Sequence, residues 1–250
     1  MLPTLDKKEF DILYAEDDVL ARNLLIKYIK DNNYPYSITL ADSFKAAENV
    51  LKEKKFDVIL ADYYLGDGIA IDLMSKTKDT PFIVITGAGD EEIAINTMKA
   101  GAYDYLVKTP QLTHLMKLHI TIENAVYRRF VDSLLNMHSQ AIQNITDSVF
   151  FINTRNEFIY VNESFCNTYK FSKEDILGRN IGIIWESNTN FTKFFDKKFS
   201  GEYYNRKKDG EIFPVSLSYS PITNKNNIII ASVGIARDIT EQRKTQTELK

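Results

Sequence analysis

The chain has 250 residues, with 31 Lys plus Arg against 34 Asp plus Glu, a net charge of -3, and 44% hydrophobic residues. That length fits one or two domains, and the ordinary apolar share excludes a disordered chain. The near-neutral balance argues against a nucleic-acid binder held mainly by charge, and the single cysteine, Cys166, excludes an intramolecular disulfide and a cysteine-rich zinc site.

The N-terminus has no signal-peptide core, and the longest clean apolar stretch, 228–236, is about half of what a bilayer crossing needs. A cytoplasmic protein that contacts neither membrane nor nucleic acid is the expectation. Charge is unevenly divided: up to Pro110 there are 19 acids and 13 bases, a net of -6, leaving 15 acids and 18 bases, a net of +3, for the rest. Residues 1–110 alternate short aliphatic or β-branched runs with helical patterns, the signature of a parallel sheet wrapped by helices. Strands are expected at 12–15, 37–40, 58–61, 82–85 and 103–107. The second helix starts at Ser43, and the fourth follows Asp90 with Glu91 and Glu92 in its first turn, where carboxylates suit the helix dipole.

From Gln111 to Ser148 there is neither Gly nor Pro, and apolar residues recur at Leu115, Leu118, Ile122, Ala125, Val131, Leu134, Ala141 and Ile145. The spacing predicts one amphipathic helix over 112–145, about 50 Å long at 1.5 Å per residue, joining two domains. Arg129 and His138 fall on or near the stripe, so the near-heptad spacing allows pairing with a second copy without requiring it.

Beyond Asp147 the pattern turns to strands at 149–152, 157–161, 203–206, 212–220 and 228–236, with Asp209-Gly210 as a hairpin signal. Short helices fill 163–170 and 173–177, which makes an α+β domain with an antiparallel sheet. The tail from 240 to 250 is polar and helical in character, and looks cut rather than finished.

Glu16 and Asp17 directly follow the first strand and Asp62 the third. In a doubly wound sheet of order 2-1-3-4-5 these ends meet at the switch point, where ligands bind. Clustered carboxylates repel unless a cation joins them, and Mg²⁺ suits carboxylates, a carbonyl, waters and a phosphate oxygen. Thr86 and Lys108, ending the fourth and fifth strands, add phosphate-binding groups at the same rim.

The segments ILYAEDD, FDVILADYYLGDG, FIVITGAGD and GAYDYLVK resemble the receiver domain of two-component response regulators, over residues 9–125. The resemblance implies a flavodoxin-like fold with Asp62 as phosphate acceptor. Asp17 would ligate Mg²⁺ directly, Glu16 through water and Tyr64 by its carbonyl, while Thr86 and Lys108 hold phosphoryl oxygens. Tyr105 matches the family's switch aromatic, which swings inward when Thr86 moves. Tyr64 and Ala88 occupy positions that tune phosphate lifetime. The family usually places a cis-proline directly after the lysine, whereas here Thr109 precedes Pro110.

Competing readings are weaker. Gly87-Ala88-Gly89 looks like the start of a dinucleotide loop, but Glu92 stands at its third glycine position, which disfavours NAD. A related metal-dependent phosphatase would want a second aspartate where Tyr64 stands. His114, His119 and His138 lack a phosphoacceptor box and read as surface or packing residues.

Residues 144–245 resemble a PAS sensor module through Tyr160-Val161-Asn162, Phe165, Leu177-Gly178-Arg179 and Arg237-Asp238-Ile239-Thr240. A flavin photosensor of that family would need cysteine where Ile181 stands, and no histidine follows His138 to serve as an axial haem ligand. Cys166 is expected as a buried small hydrophobe. Phe150, Phe151, Phe158, Phe165, Tyr169 and Trp185 are expected mostly as core, with an aromatic-lined pocket as the minority reading, and no PAS ligand is named.

Together these readings give a receiver domain (1–127), a linker helix (128–145), a PAS domain (146–240) and a helical extension (241–250). The implied function is phosphorelay: a sensor histidine kinase or phosphotransfer protein modifies Asp62 with Mg²⁺, and the helix carries the change to the PAS module. The chain holds no separate catalytic domain, only self-phosphorylation and dephosphorylation at Asp62. Alternatives are the N-terminal part of a hybrid sensor histidine kinase, and a scaffold or dimerisation module that is not phosphorylated. A homodimer would pair through the linker helix or the PAS domain.

Overall fold

The structure is a computed structural model that describes residues 9–77, 80–87, 91–186 and 197–248. Ala88, Gly89 and Asp90, singled out in the sequence, lie outside the described residues, as do 249–250. The chain divides into two compact units, one ending at Leu135 and the other beginning at Asn136.

The first unit is a parallel sheet of β1 (Phe10–Ala15), β2 (Tyr36–Ala41), β3 (Val58–Asp62), β4 (Phe82–Thr86) and β5 (Asp104–Val107), in the expected order β2-β1-β3-β4-β5. Between the strands run α1 (Val19–Asp31), α2 (Phe44–Glu53), α3 (Ala70–Ser75) and α4 (Glu91–Lys99). Helices on both faces explain why the strands are apolar throughout rather than alternating. In β1, Ile12 and Tyr14 pack with Leu25, Ile29, Leu115 and Ile122 on one face, while Leu13 and Ala15 pack with Ala47, Leu73 and Val84 on the other.

Local signals set the helix starts. Asp18 caps α1 by accepting the Leu20 N–H, and Ser43 caps α2 by accepting that of Ala46 at 3.2 Å. A second carboxylate, Asp67 from the loop after β3, accepts the Phe44 and Lys45 N–H groups at 2.6 and 3.1 Å. In that loop Gly68 lies so close to the Phe44 ring that an added Cβ would sit 2.7 Å from it.

The long helix α5 spans Thr113–Gln143, two residues inside the expected limits at its C-terminal end and one at its start. Its buried residues are Leu115, Leu118, Thr121, Ile122, Ala125 and Val126, so the stripe is covered over the first half only. No cis peptide bond occurs among the described residues.

The second unit is an antiparallel sheet of β6 (Ser148–Ile152), β7 (Phe158–Val161), β8 (Phe199–Arg206), β9 (Ile212–Thr223) and β10 (Ile229–Asp238), in order β7-β6-β10-β9-β8. Helices α6 (Glu163–Tyr169) and α7 (Lys173–Ile176) and a 3₁₀ turn (Ile181–Ile184) supply partners for one sheet face, where Phe150, Phe158, Phe165, Tyr169 and Trp185 are buried. The last described element is α8 (Thr240–Glu248).

Three expectations need correction here. Phe151 is half-buried rather than core, because it lies on the other sheet face, edge-on to Tyr160. Cys166 is likewise half-buried, packed against the core from α6. Strand β8 begins at Phe199, four residues earlier than expected, since Ser200, Gly201 and Glu202 hide it as an edge strand.

The Asp209-Gly210 hairpin is present, with Gly210 at φ +90°, a conformation that glycine adopts without strain. A further hairpin, not anticipated, joins β9 to β10: the Asn224 N–H donates to the Ile228 carbonyl at 2.9 Å, and Asn227 takes a left-handed φ of 58°.

Candidate functional site

The site lies where β1, β3 and β5 end. Carboxylate oxygens of Glu16, Asp17 and Asp62 lie within 4.8 Å of one another. Glu16 is fully buried. Lys108, one residue past β5, bridges two of the three: its Nζ lies 2.7 Å from Asp62 Oδ2 and 2.8 Å from Glu16 Oε2. Its backbone is fixed by an N–H bond to the Thr86 carbonyl at 2.7 Å.

Burial raises the Asp62 pKa to about 6; the Lys108 hydrogen bond opposes the rise and the neighbouring Glu16 adds to it. Burial also works against the Lys108 ammonium, but its bonds to Asp62 and Glu16 outweigh that and hold it above the usual lysine value. The cluster is thus a partly desolvated acid group held together by one internal cation.

Thr86 is buried at the end of β4, with its hydroxyl 3.5 Å from the Gly87 carbonyl. Its strand pairs with β3 so that Asp62 is the register partner of Ile85. Four of the expected residues, Glu16, Asp17, Asp62 and Lys108, therefore converge, with Thr86 on the adjacent strand end. Tyr105 pairs in register with Val84 and is an exposed residue, with 38% of its surface accessible. Tyr64 also has an exposed side chain, packed edge-on to Tyr63, which leaves its backbone as the part that could serve the cluster.

The oxygen-only donor set fits a hard divalent cation. The loop after β3 is shaped to approach it: Gly66 has φ +71°, and an added Cβ would meet Asp17 Oδ2 at 3.3 Å.

Sequence reasoning passed over several neighbours. The Tyr14 hydroxyl donates to Glu16 Oε2 at 2.9 Å, and the Arg22 guanidinium bonds the Glu16 carbonyl. The strand period of two places Tyr14 and Glu16 on one face and could have shown this pairing. His114 accepts the Thr109 N–H at Nδ1, 3.3 Å, and burial, with the Lys108 charge, lowers its pKa. His119 stacks on Tyr34 with ring centroids 4.2 Å apart and bonds the Tyr36 hydroxyl, a packing role consistent with expectation.

Residues 12–119 match the family model of the response regulator receiver domain, and residues 146–241 match that of the PAS domain. Among curated proteins, the methanogenesis regulatory protein FilR1 of Methanothrix harundinacea is 29% identical over 130 residues, covering 49% of this chain and 29% of that protein. The transcriptional regulatory protein ZraR of Salmonella typhimurium is 31% identical over 122 residues, covering 47% of this chain and 26% of the relative. The chain thus spans less than a third of the length of these relatives. A solved PAS domain from Colwellia psychrerythraea is 23% identical, covering 43% of this chain and 98% of that one, with a TM-score of 0.41. Among the described residues no helix is long and apolar enough to cross a membrane.

Proposed function

We propose that this chain, which carries a response regulator receiver domain at 12–119 followed by a PAS domain at 146–241, relays a phosphorylation signal in a two-component system. Asp62 accepts the phosphoryl group from a histidine kinase or phosphotransfer protein. The observation that carries the reading is the Lys108 ammonium seated between Asp62 and Glu16, beside Asp17.

An Asp62 carboxylate oxygen attacks phosphorus, the bond from phosphorus to the donor nitrogen breaks, and that nitrogen leaves with the electron pair. Lys108 then turns from Asp62 to a phosphoryl oxygen, and the Thr86 hydroxyl donates to another. Asp17, Asp62 and the Tyr64 carbonyl, with Glu16 through water, would hold one Mg²⁺, which when bound offsets charge on the phosphoryl oxygens.

Tyr105 turns inward as Thr86 moves, and the change passes along α5 to the PAS domain. On this reading the receiver occupies 1–127, the linker 128–145, the PAS domain 146–240 and a helical extension 241–250. The half of α5 beyond Val126, which contributes no buried residue, pairs with a second copy. The protein works in the cytoplasm.

The test is incubation with Mg²⁺ and acetyl phosphate, followed by a phosphate-affinity gel of wild type and Asp62→Asn. A retarded band in wild type alone is expected. Equal retardation of both proteins overturns the assignment.

A further inference from the structure

Glu16 is a carboxylate with no exposed surface, and a buried charge of that kind is tolerated only when donors satisfy it. Its Oε2 receives two of them, the Tyr14 phenol at 2.9 Å and the Lys108 ammonium at 2.8 Å. Its Oε1 has a long contact, 3.4 Å from the Asp18 N–H, and keeps capacity for more. The two oxygens are therefore not equivalent.

From this asymmetry we infer that Tyr14 is a positioning residue: it fixes Glu16 so that Oε1 serves the cation side, and it keeps Oε2 satisfied when Lys108 transfers to the phosphoryl group. This rests on the reading of Asp62 given above.

The two donors differ in what they can do. Lys108 stands on a flexible stem and is shared with Asp62 Oδ2 at 2.7 Å, so its bond to Glu16 loosens when it follows the phosphoryl oxygens. Tyr14 cannot follow. It is buried in β1, which is hydrogen-bonded to β2 on one side and β3 on the other, and its ring packs with Ile12, Leu60 and Ile85 in the core under α1 and α5. The phenol is thus a fixed donor beside a mobile one. Without it, each phosphorylation would leave a buried carboxylate oxygen short of a partner, and the rotamer of Glu16 would be set by Lys108 alone. Orientation of this type, by a group that does not itself touch the metal, is a common control on metal affinity.

The experiment uses the full chain and Tyr14→Phe, which keeps the ring and removes only the hydroxyl. Mg²⁺ binding is measured by calorimetry without phosphodonor, and phosphorylation by acetyl phosphate at saturating Mg²⁺. Tyr14→Phe should bind Mg²⁺ about tenfold more weakly, and should still be phosphorylated more slowly once Mg²⁺ is saturating. In a Glu16→Gln background the same substitution should change neither quantity, whereas a merely structural tyrosine would keep its effect there.

A measurement on wild type needs no variant to fold: by NMR the Tyr14 hydroxyl proton should stay protected from exchange after Mg²⁺ and beryllofluoride are added. Unchanged Mg²⁺ affinity in Tyr14→Phe, an effect that survives Glu16→Gln, or loss of the protected proton overturns the inference. If wild type itself neither binds Mg²⁺ nor accepts phosphate, the reading of Asp62 has failed instead.

Discussion

Lys108 Nζ and Asp62 Oδ2 are 2.7 Å apart, a contact made across 46 residues by two strand ends. Asp62 and Glu16 are both largely withdrawn from water, so the ammonium is the group that makes their proximity tolerable when no cation is bound. Lys108→Met should therefore lower metal-free stability by about 3 kcal/mol, the usual result of removing one partner of a buried pair. Urea unfolding in chelator measures this. Saturating Mg²⁺ should return most of the loss, because a cation then replaces the missing charge; no recovery would mean that the cluster does not take one.

Asp62 has a second consequence, in pH. Its pKa rises from an ordinary 3.8 to about 6, chiefly through burial. For a carboxylate raised in this way the folded state holds the proton longer, so the penalty is absent below about pH 4, grows toward pH 6, and is full above it. Asp62→Asn, which cannot ionise, should gain stability relative to wild type as pH increases from 4 to 7 in chelator. Mg²⁺ must also displace that proton, so wild-type affinity should fall by about tenfold per unit once pH drops well below 6. Calorimetry across this range gives both slopes; a flat Mg²⁺ affinity would contradict the raised value.

In the second unit, Asn162 is fully buried and every polar atom of its side chain is engaged. Its Oδ1 accepts the Val149 and Phe165 N–H groups, both at 2.9 Å, and its Nδ2 donates to the carbonyls of Ile145 and Asp147 at 3.2 and 2.9 Å. Asn162→Ala should cost about 3 kcal/mol or more, since it orphans several buried groups at once. The unfolding midpoint of the PAS unit would show it, with phosphorylation of Asp62 unchanged.

Gly234 on β10 faces Phe150 on β6 in register, and a methyl group at that position would lie only 2.1 Å from Cζ at the tip of the Phe150 ring. Gly234→Ala should destabilise the PAS unit by about 2 kcal/mol through overpacking. Partial relief from Phe150→Leu in a double-mutant cycle would confirm the cause, because the two effects would then be non-additive.

Much of the receiver was legible because its strands are short apolar runs punctuated by helices, and because strand ends carry chemistry. Glu16, Asp17, Asp62 and Lys108 could be brought together from topology alone. Tyr14 was missed because a tyrosine in a strand reads as a β-former, and only the side-chain geometry reveals where its hydroxyl goes. In the PAS domain the aromatic core at Phe150, Phe158, Phe165, Tyr169 and Trp185 was readable, but the start of β8 was not. An edge strand beginning Phe199-Ser200-Gly201-Glu202 has no apolar run to show, and its register comes from pairing with β9. The clamp formed by Asn162 was equally hidden, since its partners are backbone groups up to 20 residues away in sequence.

The most direct test of the account is to find where the phosphoryl group resides. Wild-type protein treated with Mg²⁺ and acetyl phosphate, then reduced with borohydride and mapped by mass spectrometry, should carry homoserine at position 62 and aspartate elsewhere. Chelator should abolish the conversion. Reduction at another carboxylate, or none at Asp62 despite bound Mg²⁺, would contradict the central claim.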